Sequence, residues 1–266
     1  MPRHETTAQF REIKRYDAGD MVCCTIELSR RYLAAHPDHG IVWLYYADSL
    51  YAVARYPDAI TALRRSLRLC PAKKLHLVYS RFGHLHRERG ALRLAERWYR
   101  RAIESSPSDA TYRIFLGAVL ARAGRLQEAE SVHRRATRCK EGCIDEAFLN
   151  LGLVLRALER YSDARKCFQR ALDIDPKYKE ARKGLSDVER VIELNRNANN
   201  GAAANCSGRV RSVTACASAS GALSDSGRLF CAPPLGTGCA SPHPPSAVAE
   251  LESFGEIEHV NLSQTK

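Results

Sequence analysis

The chain lacks any apolar run approaching the roughly 18 residues that a membrane-crossing helix needs. Its opening stretch, MPRHETTAQFREIKR, is charged throughout and has no apolar segment suited to a secretory signal. These absences predict a chain that stays in the cytosol and has no membrane partner. Catalytic signatures are missing too: no G-x-x-x-x-G-K-[ST] phosphate loop, no H-E-x-x-H, no G-x-S-x-G and no strand-linked G-x-G-x-x-G. On that basis neither enzymatic activity nor a cofactor is expected. Acidic residues are scarce in one region. Residues 51–100 hold twelve Lys or Arg against three Asp or Glu, a surplus of nine within a net charge of +11. The basicity is therefore local.

What is present fits a globular chain, with 45% hydrophobic and 27% charged residues. The ten cysteines have no oxidising route to accompany them and read as reduced. Cys23, Cys24, Cys70 and Cys167 fall in apolar-periodic segments, where a thiol is expected to pack as a small hydrophobe. His133, Cys139 and Cys143 together supply only three soft ligands, so no metal is expected. Beyond Asn195 the apolar period stops and large side chains become rare. Such a segment cannot bury enough apolar area to offset an ordering cost of about 1–2 kcal/mol per residue, which predicts a disordered tail over 196–266. Within it Leu251, Phe254, Ile257 and Val260 recur every three residues and predict a short amphipathic helix.

A repeat runs through the rest. LYYADSL, YSRFGHL, RIFLGAVL and LNLGLVL align to put Ala47, Gly83, Gly117 and Gly152 in register, at intervals of 36, 34 and 35 residues. Ala59, Ala95, Ala129 and Ala164 each follow twelve residues later. Pro71, Pro107 and Pro176 close three of the four units, where a residue without an N–H suits a helix end, and Glu141 takes that place in the other. The unit is two helices and a turn, and the paired small residues predict a close helix–helix approach at that level. In the last unit Phe148, Leu151, Leu155, Phe168 and Leu172 make one apolar face per helix. Neither helix has a core of its own, so each pair must stack on its neighbours.

The pattern resembles the tetratricopeptide repeat, which places Trp, Leu-Gly, Tyr, Ala, Phe, Ala and Pro over 34 residues. Residues 145–178 carry Phe148, Leu151, Gly152, Leu155, Ala164, Phe168, Ala171 and Pro176 at those positions, and 76–109 carry Tyr79, Phe82, Gly83, Ala95, Tyr99, Ala102 and Pro107. The 40–75 unit keeps Trp43, Ala47, Ala59 and Pro71; the 110–144 unit keeps Leu116, Gly117, Leu120, Ala129 and Ala136. Residues 5–39 read as a degenerate first unit, with Ile13 and Thr25 where small residues belong, and 179–195 as a capping helix. The resemblance implies an all-α, right-handed superhelical solenoid of antiparallel helix pairs whose concave face is lined by the first helix of each pair.

On that register the groove receives Tyr45, Asp48, Tyr51, Arg81, His84, Arg87, Phe115, Arg122, Asn150 and Arg156. Tyrosine and arginine give large contact area with a defined polar tip. The expected ligand is a peptide or helix that is acidic and partly apolar, with Arg81, Arg87, Arg122 and Arg156 meeting its carboxylates. Tyr45, Tyr51 and Phe115 also fit a second role, as packing residues between units. The carboxylate clamp by which some members of this family hold chaperone tails is not matched, since only Asn150 has the right residue type. The chain thus reads as a non-enzymatic adaptor or scaffold. Alternatives are an RNA-binding helical-repeat protein using the basic 51–100 region, or a substrate-recruiting subunit of a larger enzyme complex. Nothing in the pattern sets an oligomeric state.

Overall fold

Each pair of helices begins and ends where the backbone is forced to turn. The computed structural model describes residues 8–207, with side chains to 198. Among these the helices run as α1 (Ala8–Ala18) with α2 (Val22–Ala35), α3 (Gly40–Ala52) with α4 (Tyr56–Leu69), and α5 (Leu75–Glu88) with α6 (Leu92–Ser105). Then follow α7 (Ala110–Arg122) with α8 (Leu126–Ala136), α9 (Ile144–Ala157) with α10 (Tyr161–Ile174), and the long α11 (Lys179–Ser207). The described residues form an all-helical solenoid of antiparallel pairs, as the repeat implies. α11 continues twelve residues past the expected end of the capping helix at 195. The expected disorder beyond Ser207 and the amphipathic segment at 247–260 lie outside the described residues.

The turn inside every pair uses one device. Asp20, Ala54, Gly90, Gly124 and Glu159 all adopt positive φ at the same place, just after the first helix. The next residue's N–H reaches back to a carbonyl five residues earlier: Met21 to Tyr16, Arg55 to Leu50, Ala91 to His86, Arg125 to Leu120, Arg160 to Leu155. This is the Schellman closure, and it satisfies carbonyls that the helix end would leave open. Gly90 and Gly124 suit it because no Cβ opposes the left-handed backbone. Between pairs the prolines act as expected. Where Glu141 replaces proline, its C=O accepts from Ala110 N at 2.9 Å and its N–H donates to Ser108 O at 3.3 Å, so two successive loops hold each other.

Packing within a pair differs from the expectation that small residues face small residues. A Cβ added at Gly83 would come within 2.5 Å of the Tyr99 ring, at Gly117 within 2.4 Å of His133, and at Gly152 within 2.6 Å of Phe168. The glycine thus makes room for a ring, four residues beyond the alanine of the second helix. The register explains the exception as well: the 40–75 unit has Leu63 at the ring position, and there the first helix carries Ala47. A branched side chain needs less clearance than a flat ring held against the backbone. Gly184 of α11 repeats the device, its Cβ position lying 2.8 Å from Phe168, so that ring is clamped from both sides.

The cores run along the stack. One groups Phe10, Ile13, Tyr32, Leu50, Leu63, Val78 and Leu85; another groups Leu149, Leu155, Phe168, Ala181 and Val188. Ion pairs bind successive second helices on the outside: Arg125 Nη1 to Glu96 Oε2 at 2.7 Å, and Arg160 Nη1 to Glu130 Oε1 at 2.8 Å. Cys70 is buried and Cys167 half-buried, but Cys23 and Cys24 are exposed. That corrects their expected packing: α2 buries Thr25, Ser29, Tyr32 and Leu33, which turns both cysteines outward. No helix among the described residues is long and apolar enough to cross a membrane.

Candidate functional site

First helices of neighbouring pairs touch, α1 with α3, α3 with α5, α7 with α9 and α9 with α11, while α5 and α7 meet more sparsely and no two second helices pack to that extent. Helices that crowd together lie on the inside of a curved stack, so the first helices line its inner face. Their buried side supplies the core, and what remains is a groove.

Its middle is built from charges that find each other. Arg81 on α5 donates from Nε to Asp48 Oδ2 on α3 at 2.7 Å, and the Asp48 side chain keeps only 24% of its exposure. Burial pushes the Asp48 carboxyl up, against the pull of Arg81, while Asp48 holds the guanidinium above its ordinary value. Asp17 on α1 belongs to the same cluster, where burial and then the neighbouring Asp48 raise it to about 6. Arg81 is therefore committed to an internal partner.

Other groove residues are partly committed too. His84 Nδ1 lies 3.0 Å from the Tyr99 hydroxyl, and its ring meets Phe115 edge-on at 4.5 Å; burial, then Arg87 and Arg81, push it down to about 3. Phe115 also lies 5.6 Å from the Tyr99 ring, so it packs units together. Tyr45 stacks on Phe10 of α1 at 6.4 Å, and Tyr51 meets Tyr56 edge-on at 5.5 Å. Burial, then Glu88, raises the Tyr51 hydroxyl to about 12. Asn150 is buried and donates from Nδ2 to the Glu146 carbonyl at 3.0 Å. Arg87 pairs with Glu88 and Arg156 with Asp187 of α11, each at 2.8 Å. Arg122 is exposed and has no carboxylate partner among the described residues.

Two features escaped the sequence reading. His76 Nδ1 and the Tyr112 hydroxyl lie 2.6 Å apart and tie α5 to α7. Both sit near the start of a first helix, one repeat apart, and that spacing was the available signal. Asp17 comes from the degenerate unit, whose register the sequence pattern leaves weak. Among the described residues no group of three or more His, Cys, Asp or Glu side chains stands together as a metal site.

The Asp48–Arg81 pair yields a direct expectation. Arg81→Met leaves a largely buried carboxylate without its charged hydrogen bond, which costs about 2 kcal/mol. Asp48→Leu with Arg81→Met removes both charges and recovers most of that loss. Urea unfolding of the two variants measures the difference, and equal losses would show the pair to be uncoupled.

With this geometry in hand, comparison with known sequences is decisive. The tetratricopeptide repeat family model matches residues 145–178, and a second model of the same repeat matches 27–73 and 81–142. The chain belongs to the tetratricopeptide repeat family. It is similar to human tetratricopeptide repeat protein 7B, 28% identical over 134 residues that cover 50% of this chain and 16% of that protein. A TPR repeat-containing protein of Methanocaldococcus jannaschii is 23% identical over 167 residues, 63% of this chain and 29% of that one. The chain thus spans less than a third of either relative. Among solved structures, the C-terminal part of a TPR repeat-containing protein from Cytophaga hutchinsonii superposes with a TM-score of 0.59 at 16% identity, covering 70% of this chain and 72% of that one. That likeness concerns the tetratricopeptide fold alone.

Proposed function

We propose that this tetratricopeptide array is a non-enzymatic adaptor that receives a partner peptide or helix along its inner face. The observation behind this reading is that the groove keeps binding groups that no described element covers: Leu77, one turn before Arg81 on the same side of α5, is 37% exposed, Tyr51 is half-buried, and Arg122 has no carboxylate partner among the described residues. An apolar contact flanked by guanidinium and phenol groups suits a segment with both hydrophobic and acidic side chains. Arg87 and Arg156 add to that preference, because their partners Glu88 and Asp187 are about half exposed, at 49% and 53%. The arginines themselves are only 16% and 26% exposed, so a ligand carboxylate would compete for them from the side of the exposed Glu88 and Asp187. Arg81 takes a different role, holding α3 to α5 through its pair with Asp48.

This division selects the test. Arg81→Glu would set three carboxylates together and report on folding, whereas Leu77→Glu and Arg122→Glu alter exposed positions. Affinity of amphipathic acidic peptides for the Leu77→Glu/Arg122→Glu double variant, measured by calorimetric titration, is expected to fall about 100-fold, or about 3 kcal/mol. Unchanged affinity for a peptide that binds the parent protein would remove the groove from the binding mechanism.

A further inference from the structure

The outer face of the second and third pairs carries a row of cations that the groove reading does not use. Arg65, Arg68 and Lys73 follow one another along α4 and the turn after it, and Arg93, Arg97 and Arg101 repeat every four residues along α6. All six are exposed, and none has a carboxylate partner among the described residues. Like charges four apart on a helix repel, so this row costs the folded chain stability rather than adding to it. The acidic groups nearby do not answer it. Asp58 is paired with Arg55, and Glu96 with Arg100 and Arg125; Glu104 alone follows the α6 row.

Two of the six are positioned. The Arg65 guanidinium lies over the Trp43 ring at 4.6 Å, and that of Arg101 over Trp98 at 5.0 Å. A ring face holds the flat guanidinium by its π surface and leaves the N–H edges to face outward. Trp98 also packs against the core that includes Ala62 and Leu63 of α4, which links the two rows. A protein interface or a bilayer calls for an uncovered apolar or aromatic centre, whereas here Trp43 and Trp98 are half-buried beneath guanidinium groups and Leu69, at 39% exposure, is the large apolar side chain left uncovered beside them. Five arginines and a lysine, with a guanidinium lying over each tryptophan ring, match a string of phosphates, which arginine takes in forked pairs. A stiff duplex, with a persistence length of about 150 base pairs, meets an outward-curving surface at one point, whereas a single strand can follow it.

We propose that the outer face of α4 and α6 binds single-stranded RNA through its phosphate backbone, independently of the groove. The test is fluorescence anisotropy of the full chain with a labelled 20-nucleotide oligouridine, run from 50 to 200 mM KCl. Binding is expected, with log K against log[salt] falling with a slope of about −3, as for about four neutralised phosphates. Arg93→Gln/Arg97→Gln, which disturbs no internal contact, lowers affinity about tenfold. Arg165→Gln/Arg170→Gln removes the same charge from α10 and changes affinity less than twofold. Absence of binding at 50 mM KCl, or equal losses in the two double variants, would overturn the assignment. So would equal or tighter binding of a duplex of the same length, a polyglutamate of the same charge, or phosphatidylserine vesicles.

Discussion

Phe168→Ala is expected to lower the stability of the array by about 3–5 kcal/mol, the largest effect of any single truncation in its last pair. The Phe168 side chain is fully buried, and its ring fills the space between two glycines on different helices, Gly152 of α9 and Gly184 of α11. Truncation removes the ring's transfer energy and opens a cavity bounded on two sides by glycine backbone, which cannot fill the space by a rotamer change. The loss also spreads. α11 docks through Ala181, Gly184 and Val188, one face of a helix with a single neighbouring pair, and in a stacked array an end unit is held by one interface only. Urea unfolding should show a lower midpoint together with a smaller m-value, since α11 detaches first and less surface remains for the main transition. A loss under about 1 kcal/mol with an unchanged m-value would mean that the cap does not depend on the ring.

Acid is expected to unfold the array through its fourth pair, α7 with α8. His133 occupies the ring position of α8 with no exposure, and neither ring nitrogen has a hydrogen-bond partner among the described residues. Burial alone pushes its pKa down from 6.5 to about 4. The folded chain thus holds the neutral ring, and the unfolded chain binds the proton more readily. Stability from this group is complete above about pH 6.5 and is lost as the pH falls toward 4; the loss between pH 7 and 5 comes to about 2 kcal/mol. His84 and His86, lowered chiefly by burial to about 3 and about 4, act in the same sense, while Asp17, raised to about 6, acts in the opposite one. His133→Phe separates the contributions. Phenylalanine already fills the equivalent place at Phe168 beside Gly152, so the site can take the ring. At pH 7 the variant gains about 1–3 kcal/mol because two buried nitrogens no longer lack partners. Between pH 7 and 5 its stability falls by about 2 kcal/mol less than the parent's. Parallel pH slopes in the two proteins would assign the acid sensitivity elsewhere.

Both expectations rest on a part of the fold that the repeat pattern marks without explaining. Gly83, Gly117 and Gly152 are legible in the sequence as small residues in register, and so are the alanines twelve places on. That the glycines face rings is a matter of crossing geometry, because the offset between two antiparallel helices depends on the turn that joins them. The Schellman closures were hidden for a related reason: Gly90 and Gly124 mark two of them, but Asp20, Ala54 and Glu159 adopt the same backbone without the residue that announces it.

The helix count, the register of four units and the face buried by the helices of those units follow from spacing along the chain, because a helical face is set by neighbours three and four residues away; α2, where Cys23 and Cys24 turn outward, is the exception. The state of the groove does not. Asp48 meets Arg81 across 33 residues, His76 meets Tyr112 across 36, and Arg156 meets Asp187 across 31. Each contact joins different pairs and depends on how one pair is rotated on the next. A periodic pattern specifies which residues point inward; the stacking of rigid helix pairs specifies which of them neutralise one another and which, like Leu77 and Arg122, stay available.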